Sequence, residues 1–199
     1  MILAVDTTSE FGSLALRRGE KTLVERQIRA PDGFAQTIFQ AIEELLAKAQ
    51  MPLEEIACFA SADGPGSFTG VRVALSVVKG LAEAMGKPVA GISNLRALSR
   101  FGRMPLRAVM LDARRGDVYG AVYGADGKPV TPEIVGKYED WWPTVPDGVE
   151  LITFKDARPL AAAVAECAAM DGPDGWIDPV GLDANYVRRA DAQLFWKDR

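Results

Sequence analysis

Residues 2–16, ILAVDTTSEFGSLAL, decide the architecture. Ile2–Val5 is an unbroken apolar run that stops at Asp6, and after a polar link Ser13–Arg17 resumes with small and apolar residues. Short runs of this kind, bounded by turn residues, read as strands. Arg18-Gly19-Glu20 turns the chain again. In Lys21–Arg29, Leu23, Glu25 and Gln27 then alternate with Val24, Arg26 and Ile28, so residues 2–29 predict an antiparallel three-strand meander. Pro31, Asp32 and Gly33 break it.

Beyond the meander the period changes. Phe34, Ile38, Ile42, Leu45, Leu46 and Ala49 recur at helical spacing, with Gln36, Gln40, Glu43, Glu44 and Lys48 on the other side, which predicts an amphipathic helix over 34–50. Pro52 ends it, and Ile56–Ser61 predicts a buried strand. Asp63-Gly64-Pro65-Gly66-Ser67-Phe68-Thr69-Gly70 then leads into a second helix reaching about Met85. That helix carries only Arg72, Ser76, Lys79 and Glu83 as a narrow polar stripe, so the remainder needs cover from the sheet or from another protein. Pro88–Ile92 reads as a strand, and Ser93 caps a helix running to Phe101.

Gly102–Pro105 divides the chain into a first lobe, 1–102, and a shorter second α/β lobe, 103–199. A shift of 106 positions lays Ile2–Leu16 over Ala108–Val122, AVMLDARRGDVYGAV, with Asp6 on Asp112 and Ala15 on Ala121. The strand-loop-strand rhythm repeats, and identity is too low to separate duplication from two hairpins alike by chance. Strands are expected near Tyr119–Tyr123, up to about Val135, and over Gly148–Phe154, with an Ala-rich helix over Leu160–Met170. Trp141 and Trp142 are placed to seal a core edge. The tail carries Tyr186, Val187, Leu194, Phe195 and Trp196, too apolar to be free, and is expected to pack back on the fold.

Composition narrows the chemistry. The 199 residues are 48% hydrophobic and 25% charged, an ordinary globular balance, and contain no histidine. Ser-His and Cys-His nucleophile pairs and His-ligated metal sites are therefore not encoded. The formal charge of −4 opposes independent attraction to nucleic acid. Arg96, Arg100, Arg103, Arg107, Arg114, Arg115, Arg188, Arg189, Lys197 and Arg199 are the basic exceptions, and solvated faces or local ion pairs account for most such runs. Cys58 and Cys167 lie in what read as a buried strand and a helix, which predicts two reduced thiols. No apolar run approaches spanning length, no signal-peptide pattern precedes Asp6, and a cytoplasmic protein is expected.

Two segments bear on phosphate chemistry. The loop Gly64–Gly70 can aim helix N–H groups at an anion, or it can be a capped strand-to-helix turn with Ser67 or Thr69 as N-cap. It lacks the Gly-Lys-Ser/Thr of a P-loop and the third glycine of a dinucleotide loop, where Thr69 stands. Asp6-Thr7-Thr8 can orient a metal-bound phosphate with Asp112 as a second carboxylate, or terminate a strand. Ser67 has no nucleophile-elbow context.

Taken together, Ile2–Thr8, the loop Gly64-Pro65-Gly66-Ser67-Phe68-Thr69-Gly70-Val71-Arg72, the segment Leu111–Tyr119 and the ending Tyr186-Val187-Arg188-Arg189 resemble the TsaB (YeaZ) family over nearly the whole chain. The resemblance implies a two-lobe actin-like ATPase fold (ASKHA, ribonuclease H-like) with mixed sheets flanked by helices. It implies a non-catalytic subunit in threonylcarbamoylation of the adenosine beside the tRNA anticodon, pairing with the metal-holding transferase TsaD. TsaE docks on that pair, TsaC supplies the adenylate, and tRNA is met only through the complex. No metal or cofactor is implied for the isolated subunit, ATP or ADP with Mg only in the complex.

Asp6, Thr7, Thr8, the loop 64–70 and Arg72 are the implied nucleotide-proximal positions. Family members pair through the two first-lobe helices, with TsaD or a second copy, and Ile38, Ile42, Leu45, Val78 and Leu81 are the expected contacts. The stretch Gly33-Phe34-Ala35-Gln36 departs from the family in lacking a histidine, and the second lobe is shorter than in many relatives. A free-standing small-molecule ATPase or kinase is the competing reading, and a peptidase the weakest.

Overall fold

The computed structural model describes residues 1–154 and 159–187. The opening meander forms as expected: β1 (Ile2–Asp6), β2 (Phe11–Arg18) and β3 (Lys21–Arg29) pair antiparallel, with Ala4 opposite Ala15. Then β4 (Cys58–Gly64) lies parallel to β1, and β5 (Val89–Ser93) parallel to β4, giving the order β3-β2-β1-β4-β5. Every residue of β1 is buried because the strand is central and covered on both faces, which is why it reads as a continuous apolar run rather than an alternating one.

The two faces are sorted by side-chain size. Leu3, Val5, Leu14, Leu16 and Phe59 point to one side and pack with α1 (Ile38–Ala49) and α2 (Phe68–Met85). Ile2, Ala4, Ala15, Ala60 and Ala62 point to the other and pack with α3 (Asn94–Ser99) and the Ala-rich segment 161–168 of the last helix. Small residues on both partners let a helix approach a sheet closely, and close packing on two sides explains why this last helix has almost no polar face.

The second sheet runs β8-β7-β6-β9, built from β6 (Leu106–Arg114), β7 (Asp117–Gly124), β8 (Ile134–Lys137) and β9 (Glu150–Thr153). Here too a three-strand antiparallel meander is followed by a fourth strand parallel to its first. The topology of β3-β2-β1-β4 is thus repeated, although Val109 rather than Met110 stands opposite Ala121, one residue from the register that the 106-position shift implies. Between β8 and β9 lies α4 (Tyr138–Trp141), and α5 (Ala161–Asp171) follows β9. Trp141 is buried over Gly120, where a Cβ would stand 2.5 Å from the indole ring, and Trp142 stacks on Tyr138 at 5.6 Å.

This is a mixed α/β arrangement of two sheets flanked by helices, with α3 and α5 between the sheets. Val109, Ala121, Tyr123 and Ile152 of the second sheet join the same core as α5 and the first sheet. Polar pins reinforce it: Arg96 on α3 grips Asp171 through both terminal nitrogens at 2.7 and 2.6 Å, and Arg100 reaches Glu166 at 2.7 Å. The expected local ion pairs are realised at these two arginines, whereas Arg107 is buried and caps the carbonyls of Ser99 and Met104. Cys58 and Cys167 are free and buried, and burial pushes their thiols up to about 12 and about 11. Arg188, Arg189 and Leu194–Trp196 lie outside the described residues. Among those described, no helix is long and apolar enough to cross a membrane.

Candidate functional site

The glycine loop and the end of β1 come together at the C-terminal edge of the first sheet. Ser67 caps α2, its hydroxyl accepting from the Gly70 amide at 3.3 Å, which leaves Thr69 in the first turn. Gly86, at φ 60°, closes the other end in a Schellman arrangement, its neighbour Lys87 donating to the Ala82 carbonyl.

What faces the loop is the chain itself. Ser67 donates its amide to the Thr8 carbonyl at 2.7 Å, and Thr7 donates its hydroxyl to the Gly70 carbonyl at 2.7 Å. A Cβ on Gly66 would stand 2.7 Å from the Thr8 carbonyl, and one on Gly70 only 1.9 Å from that of Thr7. The glycines therefore admit the β1–β2 turn, filling with backbone the space a phosphate cradle leaves for its ligand.

Asp6 is likewise committed inward. One of its oxygens accepts from both the amide and the hydroxyl of Thr8, at 2.9 and 2.6 Å, and Thr8 in turn accepts from Asn94 at 2.6 Å. Burial raises the Asp6 carboxyl above its ordinary range, opposed by the bonds from Thr8 and Ser13. Asp112 is exposed and accepts from the Arg114 amide in its own hairpin at 2.7 Å. A Mg-bound nucleotide does not fit these residues: one carboxyl is buried and desolvated, the other is exposed and engaged in its own hairpin turn, and the glycines are occupied. No cluster of three metal-ligating side chains occurs among the described residues.

The paired helices need a correction. Ile38, Ile42, Leu45 and Val78 are all buried in the core beneath α1 and α2, and Leu81 is only partly buried and packs on the same cluster. The apolar stripe read from periodicity is consumed by the chain's own sheet. The outward surface is a groove of about 470 Å³ at the α1–α2 junction, lined by Ala35, Phe39, Phe68, Arg72, Val73 and Ser76, with Ile38 and Val77 as its floor. Phe39 and Phe68 are 54% and 53% exposed, and the Arg72 guanidinium lies 3.8 Å from the Phe68 ring centre. At the groove's edge the Tyr186 ring sits 6.1 Å from that of Phe68, its hydroxyl 3.5 Å from Arg72 Nε. Of the expected contacts Ile38 alone reaches this surface, as part of its floor, while Phe68, Thr69 and Arg72, assigned to the loop motif, line it; Phe39 was missed, because it falls on the polar side of the helix.

A second polar centre escaped the sequence altogether. Glu133, just before β8, accepts from the Ser93 hydroxyl, from the Tyr123 hydroxyl at 2.5 Å and from the Asn185 side chain at 2.8 Å. Asp63 on β4 lies near it, with Oδ1 buried and unbonded, and burial first and the Glu133 charge second push its carboxyl up to about 7. No motif announces this centre, since its members come from five separate segments.

The family model and the curated relatives carry different names, TsaD and TsaB, within one tRNA modification. A family model described as TsaD, tRNA N6-adenosine threonylcarbamoyltransferase, matches residues 29–156. The TsaB protein of Bacillus subtilis, named for tRNA threonylcarbamoyladenosine biosynthesis, is 32% identical over 80% of this chain and 68% of its own length. The Haemophilus influenzae and Escherichia coli proteins of that name are 38% and 33% identical over 59% and 63% of this chain. Those matches span about half of the two relatives, 51% and 55%. The solved structure of YeaZ from Pseudomonas aeruginosa superposes with a TM-score of 0.78 at 25% identity, covering 93% of this chain and 98% of that one.

Proposed function

Because the chain belongs to the TsaB (YeaZ) family, we propose that it serves in tRNA threonylcarbamoyladenosine biosynthesis as a non-catalytic, activating partner of TsaD. The observation that carries this reading is the closed glycine loop, whose cradle is filled by Thr7 and Thr8 of the same chain. An actin-like subunit closed in this way acts by what it binds. The groove supplies the binding surface: two half-exposed phenylalanines and a stacked arginine form an apolar centre with a cationic edge, suited to a partner helix. Burying the exposed half of each ring contributes half of the ~1.5–3 kcal/mol of a full phenylalanine, so the two rings act as anchors within a larger contact.

TsaD occupies this face in the working complex, and a second copy of the chain does so in its absence. TsaE docks on the assembled pair, and TsaC acts upstream by supplying the adenylate. Transfer RNA reaches the complex through the partners, as the net charge of −4 favours. ATP or ADP with Mg is bound only by the complex, in the cytoplasm where tRNA is modified. Size-exclusion chromatography of the chain mixed with TsaD of the same organism tests the pairing. A stoichiometric complex is expected, and separate elution at low salt overturns the reading.

A further inference from the structure

The Glu133 centre lies between the lobes and reaches the groove by a short path. Glu133 belongs to the second lobe, as does Tyr123 on β7, while Ser93 ends β5 of the first sheet. Its remaining oxygen holds the Asn185 side chain at 2.8 Å. The Asn185 amide donates to the Asp63 carbonyl at 2.9 Å, and a Cβ on Gly64 would stand 3.1 Å from the Asn185 carbonyl. Asn185 is thus fixed on two sides, and the residue after it is Tyr186, which lies on Phe68 and Arg72.

We propose that Glu133 is a positioning residue for the partner groove: its carboxylate clamps Asn185 and thereby sets Tyr186 against Phe68 and Arg72, so that the second lobe tunes pairing through the first. This rests on the groove being the pairing face. With the clamp made, Tyr186 holds the Phe68–Arg72 stack at the groove's edge in one arrangement before a partner arrives, and pre-organised side chains bind with less entropic cost. With the clamp broken, that cost falls on association.

The clamp is sensitive to charge. Around Glu133 and Tyr123 the cavity wall carries Arg96 on α3, Lys128 after β7 and Asp171 on α5, and Arg96 is already engaged by Asp171. Asp63 faces Glu133 from β4. Its carboxyl loses its proton near neutrality, and a second negative charge then repels Glu133 at the point where Asn185 is held.

The test uses the full chain and TsaD, with affinity measured by calorimetry and amide hydrogen exchange followed by mass spectrometry on the chain alone. Glu133→Ala is expected to weaken pairing about tenfold and to speed exchange over 184–187 at least about tenfold, with Glu133→Gln, which keeps an acceptor for Asn185, within about threefold of the parent. Pairing by the parent should weaken about threefold between pH 6 and 8, and Asp63→Asn should remove that slope. Where Glu133→Ala fails to fold, Asn185→Ala cuts the clamp while leaving Glu133 on the Ser93 and Tyr123 hydroxyls, and carries the same expectation. Parent-like affinity in either variant, or unchanged exchange over 184–187, overturns the proposal. If the parent chain does not pair with TsaD, the function proposed above falls, and the exchange measurement still decides whether Glu133 holds the segment.

Discussion

The Thr7 hydroxyl donates to the Gly70 carbonyl at 2.7 Å, and the Thr7 carbonyl stands 1.9 Å from the position a Gly70 side chain would take. One contact thus joins the first strand to the first turn of α2 and makes glycine obligatory there. Gly70→Ala forces backbone against backbone, a form of overpacking that costs about 1–3 kcal/mol or more. Urea unfolding should register that loss.

The opposite sign is expected ten residues on. Gly80 lies exposed in the same helix with open space around its Cα, so Gly80→Ala meets no obstacle and gains helix propensity. It should stabilise the chain by about 0.5–1 kcal/mol in the same unfolding experiment.

The two sides of the helix pair separate folding from binding. Val78 is completely buried, and placing an unpaired carboxylate there costs several kcal/mol. Val78→Glu should abolish cooperative unfolding. Phe39, half exposed on the groove, should tolerate Phe39→Glu with a native circular-dichroism spectrum while affinity for TsaD falls at least about tenfold.

Asp63 sets a pH dependence of stability. Its folded value near 7 lies above the ordinary 3.8, so between those values the folded chain keeps a proton that the unfolded chain has lost. Its contribution is therefore fully present below about pH 4 and is lost as pH rises through 7. Asp63→Asn should flatten this slope and be more stable than the parent at pH 8, by on the order of 1–3 kcal/mol, as read from urea midpoints at pH 5 and 8.

Much of the fold was legible because its signals are local. Ile2–Val5 is continuous since β1 is covered on both faces, and the repeated rhythm at 108–122 marks a real second meander. Residue type offered Ser67 and Thr69 as caps of the turn, and the fold chooses Ser67. Which side of a largely apolar helix meets its own sheet is a tertiary fact, so Ile38, Ile42, Leu45 and Val78 were placed outward when they lie inward. Whether a glycine loop cradles a ligand or the chain's own backbone depends on what the fold brings opposite it, here Thr7 and Thr8. The Glu133 centre draws on residues as far apart as Asp63 and Asn185, which no periodicity connects.

Reconstitution of the tRNA modification from TsaC, TsaD, TsaE and tRNA, titrated with this chain, tests the delegation of catalysis most directly. A non-catalytic partner predicts modification that rises with added chain and saturates at one copy per TsaD, with no turnover when TsaD is omitted. Full activity without the chain, or modification by the chain in the absence of TsaD, would contradict it.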